Sequence, residues 1–393
     1  MTGRRLTGLL LALFGLGIAC SPPAHCDEDS VVVNAPGVSY GSATHECKAG
    51  HRIEKRSVTL DSGAVRYALG YSGCVDPSHG IQRPSSEGNF GMPQPISGNW
   101  YWGGFLKFMI NGVDATNCPV EDWRVLESGA RGLFQVVFAH PDATVMLRFL
   151  LLPGANHLLC EVGWTPLEGK DVKSAQASLR CYPSFFTSAR KRVGDRHCMT
   201  PRTDEGQDKT LVIDPEADTW LYYYDTIFDV AKGEGDGPCA ALLNPDGLTS
   251  GSVSIGGYAV LTTLNYDPSK GRALMGFYDF AGHTNAEAEE YLRTQGAADA
   301  ARLAEADFRP LGVQNLDVDQ LRAEAMQLLA DAGPDGVALT KQVDELLAGV
   351  DGYHARAAAG DWKAEAELAA LVANSSDLFW RLRAFAVLNN PDR

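Results

Sequence analysis

The segment that decides the fold contains three strand-like runs, GLFQVVFAH (132–140), TVMLRFLLL (144–152) and HLLCEVGWT (157–165). The turn Pro141-Asp142-Ala143 separates the first two runs, and Pro153-Gly154 follows the second. Runs rich in β-branched and aromatic residues, bounded by turn residues, are typical of antiparallel hairpins. We therefore predict three consecutive antiparallel strands.

Similar runs recur on both sides of this segment, over residues 64–70, 105–110, 172–181, 219–225, 257–264 and 273–280. With shorter pieces they amount to about fourteen strands, each bounded by turn residues. Many short strands without intervening helices indicate stacked antiparallel sheets. We predict a mainly β protein, built on a large antiparallel β-sandwich and followed by an α-helical C-terminal region.

The composition changes near residue 284. All nine cysteines lie before it, whereas the 109 residues from Asn285 onward include 25 alanines. Thr284-x-x-Glu287 fits a capping box at the start of a helix. We predict several short helices, with two separate ones between Trp362 and Leu388. The predicted organisation is a signal peptide (1–19), a linker (20–44), a β-sandwich domain (45–283) and the helical region (284–393).

The first residues have the form of a targeting signal. Arg4 and Arg5 precede an apolar run that ends at Ala19, which is too short for the roughly twenty residues of a membrane-spanning helix. The segment 17–20 (GIAC) also resembles a bacterial lipobox, although Gly17 stands where Leu is usual. We predict export, either with a lipid anchor at Cys20 as the sole membrane attachment or as a freely secreted protein.

Cysteine count and charge limit the remaining classes. Eight cysteines remain besides Cys20, and in an oxidising compartment we expect disulfides among them, with the pairing left open. The chain has no Cys-x-x-Cys, His-x-x-x-His or His-Glu-x-x-His motif, so no metal site is predicted. A net charge of −15 argues against a nucleic-acid partner, which would need a basic face.

The order of strands from Trp123 to Pro166 resembles that of the galactose-mutarotase-like supersandwich. This fold is shared by sugar mutarotases and by the sandwich domains of several polysaccharide lyases. The resemblance covers about residues 45 to 283, rests on the strand pattern and includes no catalytic motif. It implies a carbohydrate-related role. In mutarotases a His and a Glu act across a concave sheet, and no such pair can be assigned here.

The main candidate ligand site is the loop 88–104 (GNFGMPQPISGNWYWGG), which carries Asn99, Trp100, Tyr101 and Trp102. Exposed aromatic rings offer the flat apolar faces on which sugar rings stack, and binding residues collect on loops. The alternative is that these rings alternate into the sandwich core, with Trp100 and Trp102 on one side and Tyr101 on the other.

A local excess of cations between residues 180 and 202 suggests that the ligand is anionic. Arg190 and Arg192 are its central members, and Asp195 is the only acid among them. Guanidinium groups bind carboxylate and sulfate with two hydrogen bonds. The alternative is a solvated loop, or internal ion pairs with the acidic segment 225–236.

Three residues are candidates for catalysis. Asp225 and Asp229 belong to the acidic segment, whose carboxylates could act as general acid and base or hold Ca²⁺. His79 lies in a turn-rich loop close to Cys74. The alternatives are a solvated acidic loop and a structural histidine.

Taken together, these features predict an exported β-sandwich protein that interacts with carbohydrate, with a lyase or mutarotase as its enzymatic form. The alternative is a non-catalytic envelope lipoprotein that acts as a protein-binding scaffold. The enzymatic form requires Trp100, Asp225 and Arg190 to share one cleft.

Overall fold

The computed structural model describes residues 30–43, 47–85, 89–96, 98–183, 195–229, 231, 237–314 and 316–389. Within these ranges, twenty strands form three antiparallel sheets, and helices follow the last strand. The predicted fold class is therefore confirmed. None of the described helices is both long and apolar enough to cross a membrane.

The first sheet consists of β1 (Val32–Asn34), β2 (Ser39–Ser42), β3 (Arg52–Asp61), β4 (Arg66–Cys74) and β5 (Phe90–Gln94). Its order is β1-β3-β4-β5, and β2 also pairs with β3. β1 and β2 precede residue 45, in the segment predicted as a linker. They occupy successive parts of one edge of β3, with Val33 opposite Leu60 and Gly41 opposite Ile53. The sheet therefore begins upstream of the predicted boundary.

The other two sheets are built from fifteen strands: β6 (Leu106–Ile110), β7 (Val113–Asp114), β8 (Val120–Glu127), β9 (Gly132–Ala139), β10 (Ala143–Leu151), β11 (His157–Pro166), β12 (Ala175–Cys181), β13 (Arg196–Met199), β14 (Asp204–Gly206), β15 (Thr210–Ile213), β16 (Trp220–Asp225), β17 (Cys239–Leu243), β18 (Leu248–Ile255), β19 (Val260–Tyr266) and β20 (Arg272–Asp279). Nine of them form a sheet of order β14-β13-β16-β17-β20-β11-β10-β9-β8. The remaining six form a sheet of order β15-β18-β19-β12-β6-β7. The three strands predicted from residues 132–165 are β9, β10 and β11, and they are neighbours in the nine-stranded sheet.

The central strands are apolar on both faces because both faces of the nine-stranded sheet are covered. On one face, Phe134 and Leu147 belong to the main core, which contains residues of all three sheets. On the other face, Leu133 and Leu150 pack in a second core with Leu292 of the helical region. A strand covered on both sides loses the polar alternation of a half-exposed strand, which explains the continuous apolar runs of the sequence.

The helical region contains α1 (Asn285–Glu305), α2 (Leu311–Gln314), α3 (Val318–Asp331), α4 (Gly333–Gly336), α5 (Thr340–Ala358) and α6 (Trp362–Asn389). The capping box is confirmed, because Thr284 and Glu287 cap one another at the start of α1. The prediction of two helices after residue 362 was wrong. α6 is continuous over 28 residues, and Ser375 is accommodated inside it by donating its hydroxyl proton to the carbonyl of Val372 at 2.7 Å.

A buried ion pair fastens α6 to the nine-stranded sheet. Arg148 of β10 is 1% exposed, and its guanidinium donates to Glu365 of α6 at 2.6 Å. The same guanidinium donates to Gln135 of β9 at 2.8 and 2.9 Å. Because both charges are desolvated, the pair is sensitive to the loss of either partner.

Candidate functional site

Two of the four residues proposed as a ligand platform lie in the protein interior. Trp100 is fully buried, and its indole nitrogen donates to the carbonyl of Tyr278 at 2.7 Å. Asn99 is also fully buried, and its amide donates to Asp279 at 2.8 Å. The ligand-binding interpretation is corrected for both residues, because a side chain enclosed by core atoms cannot present itself to a ligand. Both residues are core residues, as the alternative interpretation of this loop predicted.

Trp102, by contrast, is 44% exposed. Residues 101–104 form a turn rather than a strand, so the two-residue alternation that would place Trp102 beside Trp100 does not apply. The turn crosses directly over β5: a Cβ atom at Gly91 would collide with the carbonyl group of Trp102. The amide of Phe105 donates to the carbonyl of Phe90 at 3.0 Å, which pins the end of the turn.

Trp102 forms one wall of a groove of about 450 Å³ on the outer face of the first sheet. Lys55 and Ser72 are directly opposite one another on β3 and β4, and both line the groove together with Ser57. Directly opposed residues of an antiparallel pair point to the same face. The groove therefore combines one aromatic wall with a polar floor and the cationic side chain of Lys55.

A row of aromatic rings leads from Trp102 to Tyr258 by way of less exposed rings. The ring centres of Trp102 and Tyr101 are 6.0 Å apart, those of Tyr101 and Tyr182 5.0 Å, and those of Tyr182 and Tyr258 5.2 Å. Tyr182 is buried, whereas Tyr258 is 50% exposed. Arg180 lies 5.5 Å from the centre of the Tyr101 ring. The inner rings fix the position of Trp102, and the two ends of the row are open to a ligand.

Of the charged candidates, Asp225 and Asp229 are not among the residues that line this groove. Arg190 and Arg192 lie outside the described residues. Asp225 is fully buried, and its carboxylate accepts from the amide of Ile227 at 3.1 Å. This burial corrects its interpretation as a catalytic group of an open cleft. Asp229 accepts from the amide of Ala231 at 3.0 Å, and because residues 232–236 lie outside the described ranges, a Ca²⁺ site in this segment stays a prediction.

His79 lies in a cluster with Cys47, His51 and Cys74. Its Nε2 atom is 3.1 Å from the sulfur of Cys47 and 3.3 Å from Nδ1 of His51. Sequence reasoning missed this cluster because the motifs sought there pair like residues, Cys with Cys or His with His. The signal that would have found it is the repeated short spacing, Cys47-x₃-His51 and Cys74-x₄-His79.

The seven described cysteines are all buried and free. The sulfurs of Cys47 and Cys74 are 3.0 Å apart, beyond the roughly 2.05 Å of a disulfide bond. Cys20 and Cys26 lie outside the described residues. The expected disulfides are therefore not seen among the described cysteines.

Comparison with known proteins gives partial structural similarity only. No protein-family model matches the chain, and no curated protein matches it significantly. Similar solved structures include the GH36 alpha-galactosidase AgaB from Geobacillus stearothermophilus, with a TM-score of 0.33 and 11% identity over 57% of this chain. A second is a chondroitinase AC lyase, with a TM-score of 0.29 and 9% identity over 60% of this chain.

A third is a quadruple mutant of the alpha-N-acetylgalactosaminidase NagBb from Bifidobacterium bifidum, with a TM-score of 0.29 and 14% identity over 71% of this chain. The chain spans 40%, 37% and 42% of the lengths of these three proteins, respectively. All three are carbohydrate-active enzymes by name. At these TM-scores the likeness assigns neither a family nor an activity to the chain.

Proposed function

We propose that the protein binds carbohydrate in the groove beside Trp102. The observation that carries this proposal is the 44% exposure of the Trp102 indole at the wall of a polar groove. An indole held at the surface exposes a large apolar ring to water. Its flat face is suited to stacking on the apolar face of a sugar ring. The serines and Lys55 of the floor supply hydrogen-bonding groups for sugar hydroxyls.

The cationic side chain of the groove favours an anionic glycan. Lys55 lines the groove, in a chain whose net charge is −15. Arg56 follows Lys55 on β3 and points to the opposite face of the sheet, where its guanidinium donates to Glu54 at 2.5 Å. A carboxylate or sulfate of the glycan would therefore be recognised through Lys55.

The groove supports binding better than proton transfer. Tyr71 borders it, but the Tyr71 ring packs in the main core and its hydroxyl donates to the carbonyl of Cys118 at 3.2 Å. Burial raises the pKa of Tyr71 well above its ordinary value, so its phenolate is not available as a base near neutral pH. A lyase or mutarotase would require a base with an accessible lone pair. We therefore propose a binding protein rather than an enzyme.

The second candidate is the protein-binding scaffold. Near the end of α6, Trp380 is 67% exposed, Val387 63% and Leu388 73%. Exposed apolar side chains of this size can form part of a protein interface when they are contiguous. The scaffold function would be favoured over carbohydrate binding if no glycan binds and if the Trp102 side chain proves necessary for stability.

We further propose that the protein is exported and carries a lipid on Cys20, as the form of residues 1–20 suggests. Metabolic labelling with a radioactive fatty acid in a bacterial host should mark the wild type and leave Cys20→Ala unlabelled. A wild type that carries no label would refute the anchor and leave ordinary secretion as the route.

The binding proposal is tested by comparing two exposed tryptophans. Across a glycan panel, Trp102→Ala should weaken binding about tenfold or more, as expected for an aromatic residue at the centre of an interface. Trp380→Ala is the matched control, because it removes an exposed indole far along the chain, and it should leave binding unchanged. An anionic glycan should bind less tightly as salt rises, since salt screens exposed charges. Equal binding by Trp102→Ala and the wild type would refute the groove as the site.

A further inference from the structure

We propose that Cys47, His51, Cys74 and His79 form a site for one zinc ion. One potential ligand atom from each residue lies within 4.8 Å of all the others. Two thiolates and two imidazoles are a donor set of structural zinc sites. Within the part of the chain that the structure describes, these four side chains converge from three segments: the loop before β3, the end of β4 and the short 3₁₀ helix Pro77–His79.

The distances fit a tetrahedral ion. With bonds of about 2.05 Å to nitrogen and 2.3 Å to sulfur, a tetrahedral set has nitrogens about 3.3 Å apart and sulfur–nitrogen separations of about 3.6 Å. Nδ1 of His51 and Nε2 of His79 are 3.3 Å apart. The sulfur of Cys47 is 3.3 and 3.1 Å from these two nitrogens, and that of Cys74 is 3.7 Å from Nδ1 of His51.

The two sulfurs need the largest adjustment. They are 3.0 Å apart, whereas a tetrahedral zinc site separates them by about 3.8 Å. A disulfide would instead require them to approach to about 2.05 Å. The disulfide would also give no reason for two imidazole nitrogens to point at the sulfur of Cys47. The convergence of all four donors therefore favours the ion over the disulfide.

Asp76 provides the outer support that metal-binding histidines usually have. Its Oδ2 atom lies 3.5 Å from Nε2 of His51, the ring nitrogen that faces away from the cluster. Its other oxygen accepts from the amide of Ser78 at 2.9 Å and so caps the short helix that ends at His79. A carboxylate in this position orients the imidazole and fixes its tautomer. One side chain thus positions two of the proposed ligands.

The position of the cluster explains why an ion would be useful there. Ile53 and Cys74 are the last pair of the β3–β4 hairpin at its open end. Among the described residues, the apolar cluster at this end consists of Ala43, Cys47, Ile53 and Cys74, and it is separate from the main core. Such a small cluster contributes little hydrophobic stabilisation. A metal ion would fasten this end of the sheet in place of a larger core.

The site is structural rather than catalytic. Four protein ligands leave no coordination position for water or substrate. Binding requires both thiols to lose a proton, so each zinc ion bound releases two protons to solvent. His79 is then a zinc ligand and not a catalytic base, which gives a role to the histidine that the sequence marks as site-like.

The first test measures metal in the full chain purified under reducing conditions. Elemental analysis should find about one zinc per chain, and Co²⁺ substitution should give the strong visible bands of a tetrahedral thiolate site. His79→Ala and Cys74→Ser should lose the metal and the cobalt spectrum. His283→Ala, an exposed histidine, and Cys118→Ala, a cysteine outside the cluster, are the matched controls and should retain both.

A second measurement does not depend on the variants folding. Removal of zinc from the wild type with a chelator should lower the melting temperature, and added zinc should restore it with a dependence on free zinc concentration. The proposal is overturned if reduced wild-type protein binds neither zinc nor cobalt, or if His79→Ala binds as much as the wild type. Recovery of a Cys47–Cys74 disulfide from protein that, once reduced, still binds no metal would establish the disulfide in its place.

Discussion

Truncation of Trp100 and Trp102 to alanine should have opposite consequences, although the two residues are only two positions apart. Trp100 is fully buried, and its ring centre lies 5.2 Å from that of Phe277 and 5.8 Å from that of Tyr223. Removing a large aromatic side chain from a packed core costs about 3–5 kcal/mol. Trp102 is 44% exposed, and surface substitutions usually change stability by less than about 0.5 kcal/mol.

A milder substitution separates packing from hydrogen bonding at the same position. Trp100→Phe keeps most of the aromatic volume but removes the N–H group that donates to the carbonyl of Tyr278 at 2.7 Å. Leaving one buried polar group without its partner costs about 1–3 kcal/mol. We therefore expect the free energy of unfolding to decrease in the order Trp102→Ala, Trp100→Phe, Trp100→Ala, with the last variant losing most.

Equilibrium urea unfolding, followed by far-ultraviolet circular dichroism, is the appropriate assay. The midpoint should move to lower urea for both Trp100 variants while the slope of the transition stays the same, because the surface exposed on unfolding changes little. Trp102→Ala should overlay the wild type. A Trp102→Ala variant that is destabilised as much as Trp100→Ala would refute the division of this loop into an interior residue and a surface residue.

The remaining predictions concern other parts of the molecule. Arg148→Ala should lower the free energy of unfolding by about 3–5 kcal/mol, since it leaves Glu365 charged and buried without its partner; a loss below about 1 kcal/mol in chemical denaturation would contradict the buried pair. Gly91→Ala should abolish glycan binding even though the indole of Trp102 is retained, because the new methyl group displaces the turn that carries it; unchanged affinity in a titration would contradict this. Burial lowers the pKa of His140 below its ordinary value. On acidification, the unfolded chain therefore binds a proton at His140 at a higher pH than the folded protein does. Stability should therefore fall as pH decreases from about 6.5 through the folded-state pKa, and His140→Gln should show a smaller fall of melting temperature over that window than the wild type.

Local sequence patterns were sufficient for the elements whose stability is local or is repeated along the chain. The three runs between residues 132 and 165 specify a meander because their turn residues fix the reversals and their apolar content requires burial. The capping box of Thr284 and Glu287 is likewise defined within four residues. The continuity of α6 was not predictable in the same way, since serines near its middle are weak helix formers and packing of the flanking turns overrides them.

The candidate ligand site shows where local pattern fails. Strand alternation assigns Trp100 and Trp102 to the same side, but the turn at 101–104 breaks the alternation and separates an interior ring from a surface ring. The turn is held by its close contact with Gly91 of β5. No local pattern contains that contact, so the sequence could identify the loop but not the ring that faces solvent.

What the sequence alone determined is therefore the fold class, the strands around residue 145 and the start of the helical region, because hydrophobic periodicity and capping act over a few neighbouring residues. Only the tertiary structure brought His79 to Cys47, His51 and Cys74 and placed Trp102 beside Lys55. Each of these arrangements depends on the register of β3 with β4, in which residues about twenty positions apart in sequence become direct neighbours. Register is set by the burial of whole sheet faces, and this collective property decides which side chains meet.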